Sequence, residues 1–105
     1  MDKTLIADRK PPLPPGATAY RQIGPFAAAD IPAGFLREHR LKPGAWGLLH
    51  VVAGAIRFRW DDDRGGARRI AAGDTMLIPP GVPHHLEPEG PVTITIEFWA
   101  LNAAA

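Results

Sequence analysis

Four histidines and eleven acidic residues are the groups of this chain best suited to hold a metal or move a proton, because it contains no cysteine. Without a thiolate, a metal site has to be built from imidazole and carboxylate, a donor set that suits iron(II), manganese, nickel or zinc. His84 has the most informative setting. In Gly73-Asp74-Thr75-Met76-Leu77-Ile78-Pro79-Pro80-Gly81-Val82-Pro83-His84, the glycine opens a turn into an apolar strand and Pro79 ends it. Gly81 then allows a tight reversal, and His84 starts the returning strand with its imidazole delivered inward. His85 follows directly and points to the opposite face, so only one of the two can look into a cavity. On the strand that returns from this reversal His84 takes the inward position, and a bulge would substitute His85. His50, opposite in parity to Gly47, reads as a surface or interface imidazole.

Glu97 is the carboxylate of interest. Val92, Ile94, Ile96 and Phe98 form the apolar face of the last strand, whereas Glu97 shares the other face with Thr93, Thr95 and Trp99. Either a cavity lies on that polar face, or Glu97 is an exterior residue.

Strands must position these groups. Twelve Pro and eleven Gly cut the chain into runs too short for a helical bundle. Eight runs have strand character: 18–23, 35–41, 46–53, 55–60, 67–71, 75–79, 84–87 and 92–99. The clearest alternation sets Ile56, Phe58 and Trp60 against Arg57 and Arg59, ahead of a turn through Asp61-Asp62-Asp63-Arg64-Gly65-Gly66, which predicts a hairpin arm with one wet face. The three aspartates lack the alternating ligands and closing Glu of a calcium loop. Residues 1–16 form a Pro-rich extended lead whose Arg9, Pro12 and Pro15 have SH3-ligand spacing but read more simply as a stiff approach to the first strand. Residues 17–101 then make one domain and residues 102–105 a fraying tail.

Composition bounds the rest. A chain of 105 residues has room for one core, and a net charge of +1 supplies no field to recruit nucleic acid or an anionic membrane. With 46% hydrophobic and 22% charged residues the chain should fold. No apolar run approaches a membrane span, and Asp8 interrupts the stretch a signal peptide would need, so the expected location is the cytoplasm.

The Gly73 to His84 stretch resembles the second signature motif of the cupins, with Pro88 where that motif ends in Asn. The resemblance implies an all-β fold, a double-stranded β-helix or jelly-roll barrel. Further residues are similar to the small TehB/YeaR-type cupin domain: Tyr20, Phe26, the stretch 31–40, Lys42-Pro43-Gly44-Ala45-Trp46-Gly47, Val51-Val52-Ala53-Gly54, Pro83 to Pro88 and Ile96-Glu97-Phe98-Trp99. In that family the domain stands alone or precedes a tellurite-resistance methyltransferase, for which 105 residues leave no space. A standard cupin binds metal through two histidines and a glutamate of its first motif and a histidine of its second. Here Gly47 falls where that glutamate would stand, and Arg40 and Lys42 fall near the paired histidines. The likeness places His39 as a ligand beside His84, and the topology it implies puts Glu97 on the strand next to Gly47, where it could supply the lost carboxylate.

The expected function is a small metal-binding cupin in which His39, His84 and Glu97 hold one divalent ion and present it to a small ligand, with anions favoured by Arg37 and Arg40. Two alternatives stand beside it: a metal-dependent oxygenase or isomerase, for which no general base stands out, and a metal-free sensing or interaction module. Trp46 and Trp99 are candidates to wall the cavity. A homodimer covering sheet edges is expected, with no nucleic-acid or membrane partner.

Overall fold

In a computed structural model, residues 4–101 are described; the expected tail, 102–105, lies outside them. They form six strands: β1 (Thr4–Ile6), β2 (Thr18–Ala27), β3 (Trp46–Trp60), β4 (Ala67–Ala71), β5 (Asp74–Ile78) and β6 (His84–Ala100). Short 3-10 turns at Ala28–Asp30 and Ala33–Leu36 link β2 to the segment before β3. The strands make one sheet in the order β1-β5-β3-β6-β2, with β4 also on β3. The fold is therefore all-β and cupin-like, but its pairing does not close: β1 and β2 end the path unpaired with each other. No helix among the described residues is long and apolar enough to cross a membrane.

The long strands β3 and β6 pair along almost their whole length, from Trp46 opposite Trp99 to Trp60 opposite His84. Four of the eight expected strands merge into these two. Gly54 and Gly90, read as breaks, are absorbed within them at φ of +73° and +121°, and the β3–β6 register slips on either side of Ala53–Gly54. One end of β3 pairs with β5 and the other with β4, so a single sheet wraps one core. Leu49 and Val51 before the slip, and Ile56, Phe58 and Trp60 after it, fill that core with Ile70, Met76, Leu86, Ile94 and Ile96. Arg57 and Arg59 face outward, as the alternation requires.

The run 35–41 is not a strand. Pro32 seeds a tight turn, closed when the Phe35 N–H donates to the Pro32 carbonyl at 3.0 Å. Only His39 then bridges to the sheet, exchanging backbone hydrogen bonds with His84 at 2.8 and 2.9 Å. Leu41 is buried behind it.

The Pro-rich lead is docked rather than free, and Thr4–Ile6 within it pairs in parallel with β5. Arg9 donates to Asp62 at 2.6 and 3.0 Å and to the Gly65 carbonyl at 2.8 Å, while its guanidinium stacks 4.6 Å from the Trp60 ring. Asp8 receives two hydrogen bonds from Arg68, and the Trp46 indole donates to the Pro11 carbonyl at 3.0 Å. Asp62 thus clamps the lead onto the hairpin turn, and the guanidinium holds its carboxyl at about 2.

Candidate functional site

His84 opens β6 on the inner face, 3% exposed, with its ring stacked on Phe58 at 5.2 Å and edge-on to Trp60 at 6.3 Å. Its Nδ1 lies 2.9 Å from the Val82 carbonyl. A carbonyl can only accept, so Nδ1 carries the proton and Nε2 keeps the lone pair of a neutral ring. Burial pushes this imidazole down to about 4, against the Val82 bond, which favours the charged form; the neighbouring His39 pushes further in the same direction as burial. His39 packs edge-on against His84 with ring centroids 5.5 Å apart, and against Phe35 at 5.0 Å. Burial lowers its pKa as well. Two neutral imidazoles thus meet because one backbone bridge joins the irregular 37–45 segment to the start of β6.

Around them lies a narrow chamber walled by Leu41, Leu49, Ile78, Leu86 and Ile96, with room for about one water. Phe35, His39, Leu41 and Phe98 also wall a wider recess of about 360 Å³, so the chamber and the recess adjoin across these four side chains. Arg21, Arg40 and Lys42 line that recess with Tyr20. Lys42 lies over the Tyr20 ring at 5.7 Å, and Arg40 makes long, exposed contacts to Glu38 at 3.4 Å and to the Gly81 carbonyl at 3.5 Å. The recess is therefore cationic and the adjoining chamber apolar. Of the two arginines flanking His39, Arg40 lines the recess and Arg37 does not; Arg21 and Lys42 line it from other segments.

Glu97 is not part of this group. Gly47 faces inward, where an added Cβ would meet Leu41 and Ile78, and its partner on β6 is Phe98. Glu97 pairs with Leu48 and so projects from the outer face, where Oε1 lies 2.8 Å from His50 Nε2. The polar face of β6 is the outer face of the sheet, and Glu97 lines an open cleft there, apart from His39 and His84. The His39, His84 and Glu97 triad does not assemble, because cross-strand partners share a face and the register gives Gly47 to Phe98. No group of three or more His, Asp or Glu among the described residues is arranged to hold a metal ion. The donors that converge on the chamber are two imidazoles.

His85 takes the outer face, as its parity requires. Its ring nitrogens lie 2.7 Å from Asp61 and 2.8 Å from Glu87, and Asp61 raises its pKa. His50, read as a surface imidazole, bridges Thr75 and Glu97. Neither Trp46 nor Trp99 walls the chamber; they face each other across β3 and β6, and the Trp99 indole nitrogen has no hydrogen-bond partner among the described residues. Sequence reasoning missed the recess because Arg21 and Lys42 reach it from separate elements. The apolar-polar alternation in β6 did carry a signal for the partnership of Glu97 and His50.

Comparison with known proteins bears on the fold and family. The family described as the TehB-like domain matches residues 21–96. Among solved structures, TehB from Haemophilus influenzae superposes with a TM-score of 0.76 at 21% identity over 83% of this chain. This chain spans only 32% of that protein's length. A protein from E. coli strain K12 superposes at 0.77 with 23% identity, over 88% of this chain and 98% of its own. FeII HppE superposes at 0.51 with 18% identity over 60% of this chain and 34% of its own. No curated protein matches by sequence.

Proposed function

This chain belongs to the TehB-like domain family, and we propose that it is a small-molecule-binding module whose ligand is an organic or inorganic anion held in the recess beside the His39–His84 chamber. The observation that carries this reading is a cationic recess that shares Phe35, His39, Leu41 and Phe98 with an apolar chamber ended by two neutral imidazoles. Arg21, Arg40 and Lys42 would draw in and orient the negative group, with Arg40 able to grip a carboxylate or oxyanion in two-pronged fashion. Tyr20, Phe35 and Phe98 would cover the ligand's apolar part. His84 Nε2, a lone-pair acceptor, would receive a hydrogen bond from the ligand or from the one water the chamber fits. The setting is cytoplasmic in this reading.

A second reading keeps the metal. The Nδ1–Val82 bond is the outer-shell contact by which metal-bound histidines are commonly oriented, and it leaves Nε2 free to ligate. His39 and His84 would supply two nitrogens for a divalent ion such as iron(II), manganese, nickel or zinc, and the ligand or water would complete its shell. The three-protein-ligand form does not fit, and no reaction step is assigned to the ion.

Calorimetric titration with acetate, benzoate, phosphate, selenite and tellurite, each with and without added metal, tests both readings. Saturable binding of one of these anions to the wild type is expected, weakened at least tenfold by Arg40→Glu/Lys42→Glu. Binding that requires added metal and disappears in His39→Ala/His84→Ala supports the second reading. No binding of any anion in either condition would overturn the proposal.

A further inference from the structure

The outer face carries a chain of three side chains that the chamber does not use. Thr75 on β5, His50 on β3 and Glu97 on β6 lie on three adjacent strands, and the register sets His50 directly opposite Thr75. His50 Nε2 is 2.8 Å from Glu97 Oε1, and His50 Nδ1 is 2.8 Å from Thr75 Oγ1. A carboxylate accepts, so Nε2 carries the ring proton; Nδ1 of the neutral ring then accepts, and the Thr75 hydroxyl donates to it. All three line one open cleft of about 520 Å³, whose wall also includes Gln22, Val52 and Thr95.

We propose that this is a second functional site, in which Thr75 is a nucleophile toward small acyl esters, His50 its general base and Glu97 the residue that orients the base. Hydroxyl, imidazole and carboxylate in series, each within hydrogen-bond reach of the next, are the arrangement that activates an alcohol for acyl transfer on unrelated folds. The order here is Thr75, His50, Glu97, with the carboxylate fixing the tautomer that lets Nδ1 take the proton. In the step, Thr75 Oγ1 forms a bond to the ester carbonyl carbon as its proton passes to His50 Nδ1. The carbonyl–alkoxy bond then breaks, and the same proton goes to the departing alcohol. The acyl group remains on Thr75 as an ester, and no oxidant or metal takes part. Thr75 is 8% exposed in the wall of the cleft, so a small acyl group such as acetyl is the substrate class that can reach its hydroxyl.

The full chain, treated with p-nitrophenyl acetate, acid-quenched and digested, tests this. An acetyl group on the peptide containing Thr75 is expected, with a matching burst of nitrophenolate. Thr75→Val should abolish both, and Thr75→Ser, which keeps the hydroxyl, should retain them. His50→Gln should slow the burst about 100-fold or more. Glu97→Gln should slow the burst, because an amide no longer fixes the tautomer that leaves Nδ1 free to take the proton, and Glu97→Asp should restore part of the rate. Circular dichroism spectra matching the wild type establish that each variant is folded. An unacetylated Thr75 peptide, or nitrophenolate release unchanged in Thr75→Val, would overturn the proposal and leave the three groups as a structural cross-strand link.

Discussion

At the scale of single residues, His84 and His85 adjoin in sequence and differ in almost everything their environments control. His84 is buried against Phe58 and Trp60, so its neutral form is favoured and its pKa falls to about 4. The unfolded chain binds a proton near 6.5 that the folded chain refuses until about 4. Stability from this group is therefore complete above pH 6.5 and is lost as pH falls to about 4, a total of about 3 kcal/mol. Urea melts from pH 4 to pH 7 should show the wild-type midpoint rising with pH more steeply than that of His84→Leu; equal slopes would contradict this account. His85 has the opposite sign. Asp61 and Glu87 raise its pKa, so its contribution is full below pH 6.5 and is lost as pH rises through the folded value. His85→Gln should lower the melting temperature at pH 5.5 and change it little at pH 8.5, measured by differential scanning calorimetry.

At the scale of elements, the two long strands depend on glycines that the sequence presents as interruptions. A Cβ on Gly54 would collide with the Pro91 carbonyl, and the residue holds φ at +73°. Gly54→Ala therefore combines left-handed strain with a backbone clash and should cost about 3 kcal/mol or more, read as a fall in the denaturant midpoint. Gly44→Ala has a similar φ of +81° with nothing near the added carbon, and should cost only about 1–2 kcal/mol. Equal losses would mean that strain alone matters at Gly54. The alternation of Ile56, Phe58 and Trp60, the Gly73 to His84 reversal and the inward His84 were legible in the sequence, because period-2 patterning and turn residues are local signals. The run 35–41 was misread because its apolar content is strand-like, whereas Pro32 commits the backbone to a turn. Glu97 went to the wrong site in the expected triad because its place depends on the β3–β6 register, a non-local quantity that β6's own alternation already constrained. The docking of the lead through Asp8 and Arg9 depends on partners more than fifty residues away, and nothing in the Pro-rich composition encodes it.

At the scale of the whole molecule, the open sheet leaves β2 as a terminal strand, paired on one side to β6. Eight of its ten residues are exposed, a poor state for a strand of this length, since unpaired backbone groups invite a second chain. Pro25 and the register shift between Ile23 and Phe26 blunt one end, which confines the open edge to Thr18–Ile23. Tyr20 is 41% exposed in that stretch, and Leu101, 48% exposed, helps line a neighbouring recess with it. A homodimer that pairs this edge with its symmetry mate would bury both side chains and continue the sheet across the two-fold axis. Multi-angle light scattering at micromolar concentration should then give twice the 11.3 kDa monomer mass, and Tyr20→Lys should weaken the association at least tenfold. Because Tyr20 and Arg21 also line the recess beside the His39–His84 chamber, pairing at β2 would set the partner beside that recess. A wild type that is monomeric throughout the micromolar range would instead show that Pro25 and the bulges protect the edge on their own.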